Sequence, residues 1–218
     1  MVHIISKLFR KIPKHAYLFT GIVLFVFVFP MINISGYGQT LAAVSYTIML
    51  IAVSAIIEKK KKNMNILVVI AVILQWLVYF IDIDKSHILN YFSFCFSVAV
   101  FIMATYFMIH QIIRSKKVDI RLIMVTIIGY MLLGVIFTLV NSLLIIIFPE
   151  AISFNTQNPN LSDLIYYSFI TVTTIGYGDI SPVNPIAREL AVLFGLLGQF
   201  YLTIVIAFII GKFLSKQS

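Results

Sequence analysis

Apolar residues run along this chain in long blocks, separated by short polar gaps. A helix needs about 20 predominantly apolar residues to cross a hydrocarbon layer about 30 Å thick. Six blocks meet that length: Ala16 to Ile34, Thr40 to Ile57, Met64 to Ile83, Ile88 to Ile113, one within Leu122 to Phe148, and Pro185 to Leu214. A seventh block, Leu161 to Thr173, is too short to cross, and glycines follow it. Irregular backbone at membrane depth is tolerated only where protein or a water-filled path surrounds it. The short block and its loop therefore read as re-entrant, entering and leaving on one side. The predicted fold class is an all-α membrane protein of six transmembrane helices plus a re-entrant helix and loop. The first block follows a basic N-terminus, as a cleaved leader would. It is long, however, and Pro30-Met31-Ile32-Asn33 offers no small-residue cleavage site, so it reads as a retained helix.

Charge sharpens this layout. If the N-terminus is cytoplasmic, the inner segments hold Lys7, Arg10, Lys11, Lys14, Lys59, Lys60, Lys61, Lys62, Arg114, Lys116, Lys117, Arg121, Lys212 and Lys216. Of the 16 basic residues only Lys85 and Arg188 then fall outside, a strong positive-inside bias. Both termini are predicted to be cytoplasmic, in the plasma membrane, with the re-entrant loop opening outward. Composition agrees: 61% hydrophobic and 11% charged residues are far from soluble averages. A net charge of +8 would suggest nucleic acid in a soluble domain. Here the cations sit in the gaps between apolar blocks, so membrane topology accounts for them and no nucleic-acid partner is expected. The Lys59–Lys62 run is either a topology signal or a contact for anionic membrane lipid. Cys95 lies in an apolar block and reads as a small buried hydrophobe. His3, His15, His87 and His110 share no ligand spacing, and no nucleophile–base set or phosphate loop is present, so an enzyme is not expected.

The distinctive stretch is Thr171-Val172-Thr173-Thr174-Ile175-Gly176-Tyr177-Gly178-Asp179. Glycine adopts positive φ as readily as negative. A backbone alternating between the two can aim successive carbonyls to one side, where they can replace the water shell of a bare cation. The core Thr174-Ile175-Gly176-Tyr177-Gly178, followed by Asp179, resembles the selectivity filter of potassium channels, with Ile175 in place of the usual valine. The resemblance extends over about Leu122 to Leu214. It implies a pore domain at 116–218 (outer helix, pore helix, filter, inner helix) after a four-helix transmembrane bundle at 1–115. It also implies K+ as the permeant ion, bound by the carbonyls of Thr174, Ile175, Gly176 and Tyr177 and the Thr174 hydroxyl, with no organic cofactor. One filter copy supplies one side of each cage, so a symmetric assembly is required, and the resemblance implies a homotetramer.

Further roles follow from the same resemblance. Pro149 would end the outer helix, Ser153 to Asn160 would form the turret, and Asn160 or Ser162 would cap the pore helix with Asp163 at its positive end. Tyr166 and Tyr167 stand where related channels carry an aromatic cuff supporting the filter; packing against lipid and neighbouring helices is the other reading. Asp179 is similar to the outer-mouth carboxylate, bonded behind the filter or concentrating cations. Ile170 stands where some prokaryotic channels have a Glu that pairs with that Asp, so inactivation behaviour is not implied. Gly198, 20 residues after Gly178, matches a glycine hinge of the inner helix. Glycine within a helix costs about 1 kcal/mol against Ala in water, and bending or close packing are both reasons for it. Leu202, Ile206, Ile210 and Leu214 recur every four residues as a candidate hydrophobic gate, or as lipid contacts.

The six-helix layout resembles voltage-gated channels, yet Ile88 to Ile113 contains no Lys or Arg. Moving one charge through the field is worth about 2.3 kcal/mol per 100 mV, so without such charges the channel is not steeply voltage-gated. In the third block, Gln75 and Trp76 read as polar glue between helices, and Asp82 and Asp84 lie near its outer end. The gap from Arg114 to Arg121 is short. Either the fifth span begins near its end, or Lys116 to Thr126 forms a separate interfacial helix. The functional expectation is passive, potassium-selective conduction. The alternatives are a less selective monovalent cation channel and a potassium-transporter subunit. Related transporters carry several pore repeats per chain, and this chain has one filter copy.

Overall fold

The computed structural model describes residues 14–32, 38–56, 62–80, 87–115 and 118–214. Its helices in chain order are α1 (Lys14–Val23), a π turn (Leu24–Val28), α2 (Phe29–Ile32), α3 (Gly38–Ile56), α4 (Lys62–Phe80), α5 (His87–Arg114), α6 (Ile120–Ile147), α7 (Leu161–Val172) and α8 (Pro185–Leu214). Two short strands, β1 (Ile152–Ser153) and β2 (Ser181–Pro182), pair antiparallel, Ile152 opposite Pro182.

The first block is helical throughout its described length but is not a uniform α-helix. Pro30 lacks an N–H, and its ring crowds the carbonyl four residues back. The backbone widens just before it, and the Phe29 N–H bonds Leu24 O, five residues away. Four described helical stretches are long and apolar enough to span a bilayer: His15–Ile32, Leu89–Arg114, Ile120–Ile147 and Pro185–Leu214. The apolar parts of α3 and α4, Thr40–Ser54 and Asn65–Phe80, are shorter than the blocks read from the sequence.

α6 starts on a side-chain cap, Asp119 accepting the Leu122 N–H at 2.9 Å, and runs unbroken to Ile147. A separate interfacial helix reaching Thr126 is therefore not formed. The residue before a proline is biased toward extended backbone, and Phe148, before Pro149, has φ −131° and ψ 86°.

α6 is the hub, packing against α1, α5, α7 and α8. Phe137 at its middle is fully buried, stacked on Phe194 of α8 at 4.4 Å and tilted against Tyr167 of α7 at 5.8 Å. Small residues on α6 admit partners closely. A Cβ on Gly134 would stand 2.6 Å from the Phe169 ring, and one on Gly129 would meet the Tyr201 hydroxyl. That hydroxyl donates to Thr126 O at 2.9 Å. Buried Asn141 donates from Nδ2 to Ser168 Oγ on α7 at 3.0 Å.

In the N-terminal half, Phe25, Tyr46 and Phe101 form a chain of ring contacts at 5.8 and 5.7 Å across the π turn, α3 and α5. Gln75 and Trp76 bridge helices: Gln75 Nε2 donates to Ala43 O at 2.8 Å and Trp76 Nε1 to Thr47 Oγ1 at 3.1 Å. Cys95 corrects the sequence reading, because it is exposed on α5. In lipid an outward-facing helix surface is as apolar as a core, so hydropathy alone does not sort the two. His15 is buried, and His110 stacks near Tyr106 at 6.2 Å. Asp82, Asp84, Lys85, His3 and Lys59–Lys61 lie outside the described residues.

One contact ties the two halves at the far end of α8. Lys212 Nζ donates to the carbonyls of Ile112 at 2.6 Å, Ile113 at 3.0 Å and Ser115 at 2.5 Å, where α5 ends, and lies 4.5 Å from the Phe208 ring centroid. The last carbonyls of a helix lack intrahelical partners, and a cation suits them.

Candidate functional site

α7 is set by its first turn. Asn160 Oδ1 accepts the Ser162 N–H at 2.7 Å, and Asp163 Oδ2 accepts the Asn160 N–H at 2.8 Å, a reciprocal capping box. Asn160, not Ser162, is the cap. After Val172 the chain leaves the helix through two anchors: the Thr174 N–H bonds Thr171 O at 3.0 Å, and the Gly176 N–H bonds Ile170 O at 3.1 Å.

The loop that follows has an unusual backbone. φ is +61° at Thr174, +54° at Gly176 and +82° at Gly178, while Ile175 and Tyr177 are not in the positive region. Positive φ is free for glycine but costly for a β-branched residue. Thr174 is the sole non-glycine residue with it among the described residues. In a strand or a helix every residue repeats one conformation. Here positive and non-positive φ alternate from Thr174 to Gly178, a backbone able to aim successive carbonyls to one side. Thr174 through Asp179 are all exposed in the single chain, and a Cβ at Gly176 or Gly178 would meet nothing within 4 Å.

The elements behind the loop are closely fitted. Tyr130 on α6 donates its hydroxyl to Val172 O at 3.3 Å. Gly198 lies against that same carbonyl, which a Cβ there would strike, while α8 runs through Gly198 unbroken. Close packing thus accounts for Gly198. Gly195 is in ordinary contact, 3.9 Å from Thr171 O. The two adjacent tyrosines differ. Tyr167 is buried against Phe137, whereas Tyr166 is exposed and under the electrostatic influence of Asp179. Ile170 is buried, and its carbonyl anchors Gly176. The β1–β2 pair closes the loop's base, helped by the Val183 N–H on Ala151 O at 2.8 Å. Asn184 then caps α8, accepting the Ala187 N–H at 2.7 Å.

Of the candidate gate residues, Leu202 is half-buried, and Ile206, Ile210 and Leu214 are exposed on α8. One polar residue escaped the sequence reading. Gln199, on α8 beside Gly198, donates from Nε2 to Thr174 Oγ1 at 3.0 Å. Its only sequence signal is an amide amid apolar residues. Among the described residues no group of three or more His, Cys, Asp or Glu side chains converges to hold a metal ion. The chemistry the loop offers a cation is that of carbonyl and hydroxyl oxygens.

Comparison with known proteins defines the class. Residues 125–216 match a family model described as an ion channel. With the long apolar helices, this marks a multi-pass membrane protein carrying an ion-channel unit, and the matches are to channels rather than to enzymes. Among curated proteins, the chain is 38% identical over 55 residues to two-pore potassium channel 5 of Arabidopsis thaliana, covering 25% of this chain and 14% of that one. It is 33% identical over 57 residues to two pore potassium channel c of Oryza sativa subsp. japonica, covering 26% and 12%. It is 44% identical over 62 residues to TWiK family of potassium channels protein 7 of Caenorhabditis elegans, covering 28% and 11%. The aligned stretches span 14% or less of the length of these relatives. No solved structure matches the chain.

Proposed function

We propose that this chain is a passive, potassium-selective channel that works as a homotetramer in the plasma membrane. The observation that carries the reading is the alternation of φ sign from Thr174 to Gly178 in an exposed loop fixed to the end of α7. Four such loops around one axis would stack the carbonyls of Thr174, Ile175, Gly176 and Tyr177 into oxygen cages that replace the hydration shell of K+. Two features support assembly. The chain carries one copy of the loop, and α8 exposes Leu196, Leu197, Phe200 and Ile204, a surface that neighbouring copies can cover. The relatives, named as potassium channels, favour K+ as the permeant ion.

In this reading six crossings leave both termini cytoplasmic and the loop open to the outside, with Asp179 at the outer mouth. Residues 1–115 form the bundle and 116–218 the pore domain. Gly198 serves as the flexing point of the inner helix, and Leu202, Ile206, Ile210 and Leu214 form a hydrophobic constriction below it. The Lys59–Lys62 run faces anionic lipid. The absence of Lys and Arg between Ile88 and Ile113 leaves opening only weakly dependent on voltage.

The test is K+ flux and current from reconstituted full-length protein, wild type against Gly176→Asp. The wild type is expected to carry K+ in preference to Na+, with a shallow current–voltage relation. The variant loses the positive-φ glycine and places a carboxylate in the ion path, so its flux should fall to background. Equal flux in the two proteins overturns the reading. A reversal potential indifferent to K+ against Na+ replaces it with a less selective cation channel.

A further inference from the structure

The potassium-channel reading leaves one contact at the loop unused: the amide of Gln199 on the hydroxyl of Thr174. Its position follows from packing. Gly198 lets α8 approach the Val172 carbonyl more closely than any side chain would allow. The next residue, Gln199, is thereby brought to the foot of the loop, where Nε2 reaches Thr174 Oγ1 at 3.0 Å. Both residues are exposed in the single chain, on the side that the tetramer would close.

A hydroxyl oxygen has two lone pairs and one proton. If Thr174 Oγ1 serves the innermost ion cage, its oxygen must offer a lone pair to the ion. The Gln199 N–H takes one of the two pairs and sets the positive end of an amide dipole beside the cage. Both effects reduce what the oxygen can give a cation. The bond also holds the side chain of a β-branched residue whose backbone sits at φ +61°. Conduction requires sites strong enough to fill and weak enough to empty, and a neutral donor at the innermost cage acts on the emptying side.

We propose that Gln199 is a positioning residue that weakens the innermost ion site by donating to Thr174 Oγ1. The inference rests on the potassium-channel reading. It makes the inner helix, and not the filter sequence alone, a determinant of how tightly the last ion is held. Thr174 supplies the ligand and Gln199 acts through it.

The probe is Ba2+ applied from the cytoplasmic side of reconstituted full-length channels. Ba2+ is close to K+ in size and doubly charged, so its affinity reports the ligand strength of the first cage it meets. Gln199→Leu removes the donor, and Gln199→Met removes it while keeping the length of the side chain. Either should tighten internal Ba2+ block about tenfold, equivalent to about 1.4 kcal/mol, with the K+/Na+ reversal potential unchanged. In a Thr174→Val background the Gln199→Leu step should have no further effect on block, because the acceptor is gone. A structural role alone would lower channel number without changing block affinity. Unchanged block in both Gln199 variants of a conducting channel overturns the inference, as does weaker block, which would make the amide itself a ligand. A wild-type protein that carries no K+ overturns the channel reading, and this inference with it, and is told apart by the absence of any current to block.

Discussion

α6 and α8 are close counterparts by sequence, 28 and 30 residues long, with mean hydropathy 2.5 and 2.3 over an apolar 18-residue stretch of each. Their surroundings are opposite. Of that stretch, 56% is buried within the single chain in α6, but only 22% in α8. Hydropathy reports that a helix prefers not to face water. It does not say whether lipid, the same chain or another copy provides the cover. α6 gains its cover from α1, α5, α7 and α8, and so it belongs to the fold of one protomer. α8 touches that core through Phe194, Gly198, Tyr201 and Val205 and leaves most of its surface for something else.

This contrast can be tested by substitutions that should differ in size and in readout. Phe137→Ala, at the centre of α6, should cost the most, about 3–5 kcal/mol. It would appear as a lower unfolding midpoint of the detergent-solubilised protein. A loss below 1 kcal/mol would mean that α6 is not the hub. Next comes Asn141→Ala, which leaves buried Ser168 without the Asn141 amide. Hydrogen bonds between membrane helices are worth about 0.6–1.7 kcal/mol. The midpoint should fall by that amount, and Asn141→Ala combined with Ser168→Ala should fall by less than the sum of the two single changes. The smallest effect on the protomer is expected from Phe200→Ser on the exposed face of α8, within about 0.5 kcal/mol. Cross-linking should nevertheless show the proposed tetramer reduced. If Phe200→Ser unfolds the protomer as Phe137→Ala does, the contrast between the two helices fails.

What could be read in advance follows the same division. The loop from Thr174 to Asp179, the cap at Asn160 and the stop before Pro149 are local. Each depends on residue types a few positions apart, and a sequence displays those directly. Contacts between distant helices leave no such trace. Nothing at Gly134 announces the Phe169 ring, and nothing at Gln199 announces Thr174, 25 residues earlier. Gly198 was legible as an unusual residue, but its contact with the Val172 carbonyl was not. Cys95 was misplaced because an apolar run looks the same whether it faces a core or lipid. The π turn before Pro30 has a local signal in the proline itself, which block length does not display.

The lysine near the end of α8 has a mechanical consequence. Lys212 grips three carbonyls at the end of α5, about a hundred residues earlier in the chain. The free ends of two long helices are therefore spliced by one side chain. Swinging the last turn of α8 outward must either drag Ser115 along or strip a cation from three oxygens at once. Any displacement of the end of α5, whatever produces it, is handed to α8 without passing through the intervening sequence. The two halves of the chain thus share a joint where α5 and α8 end.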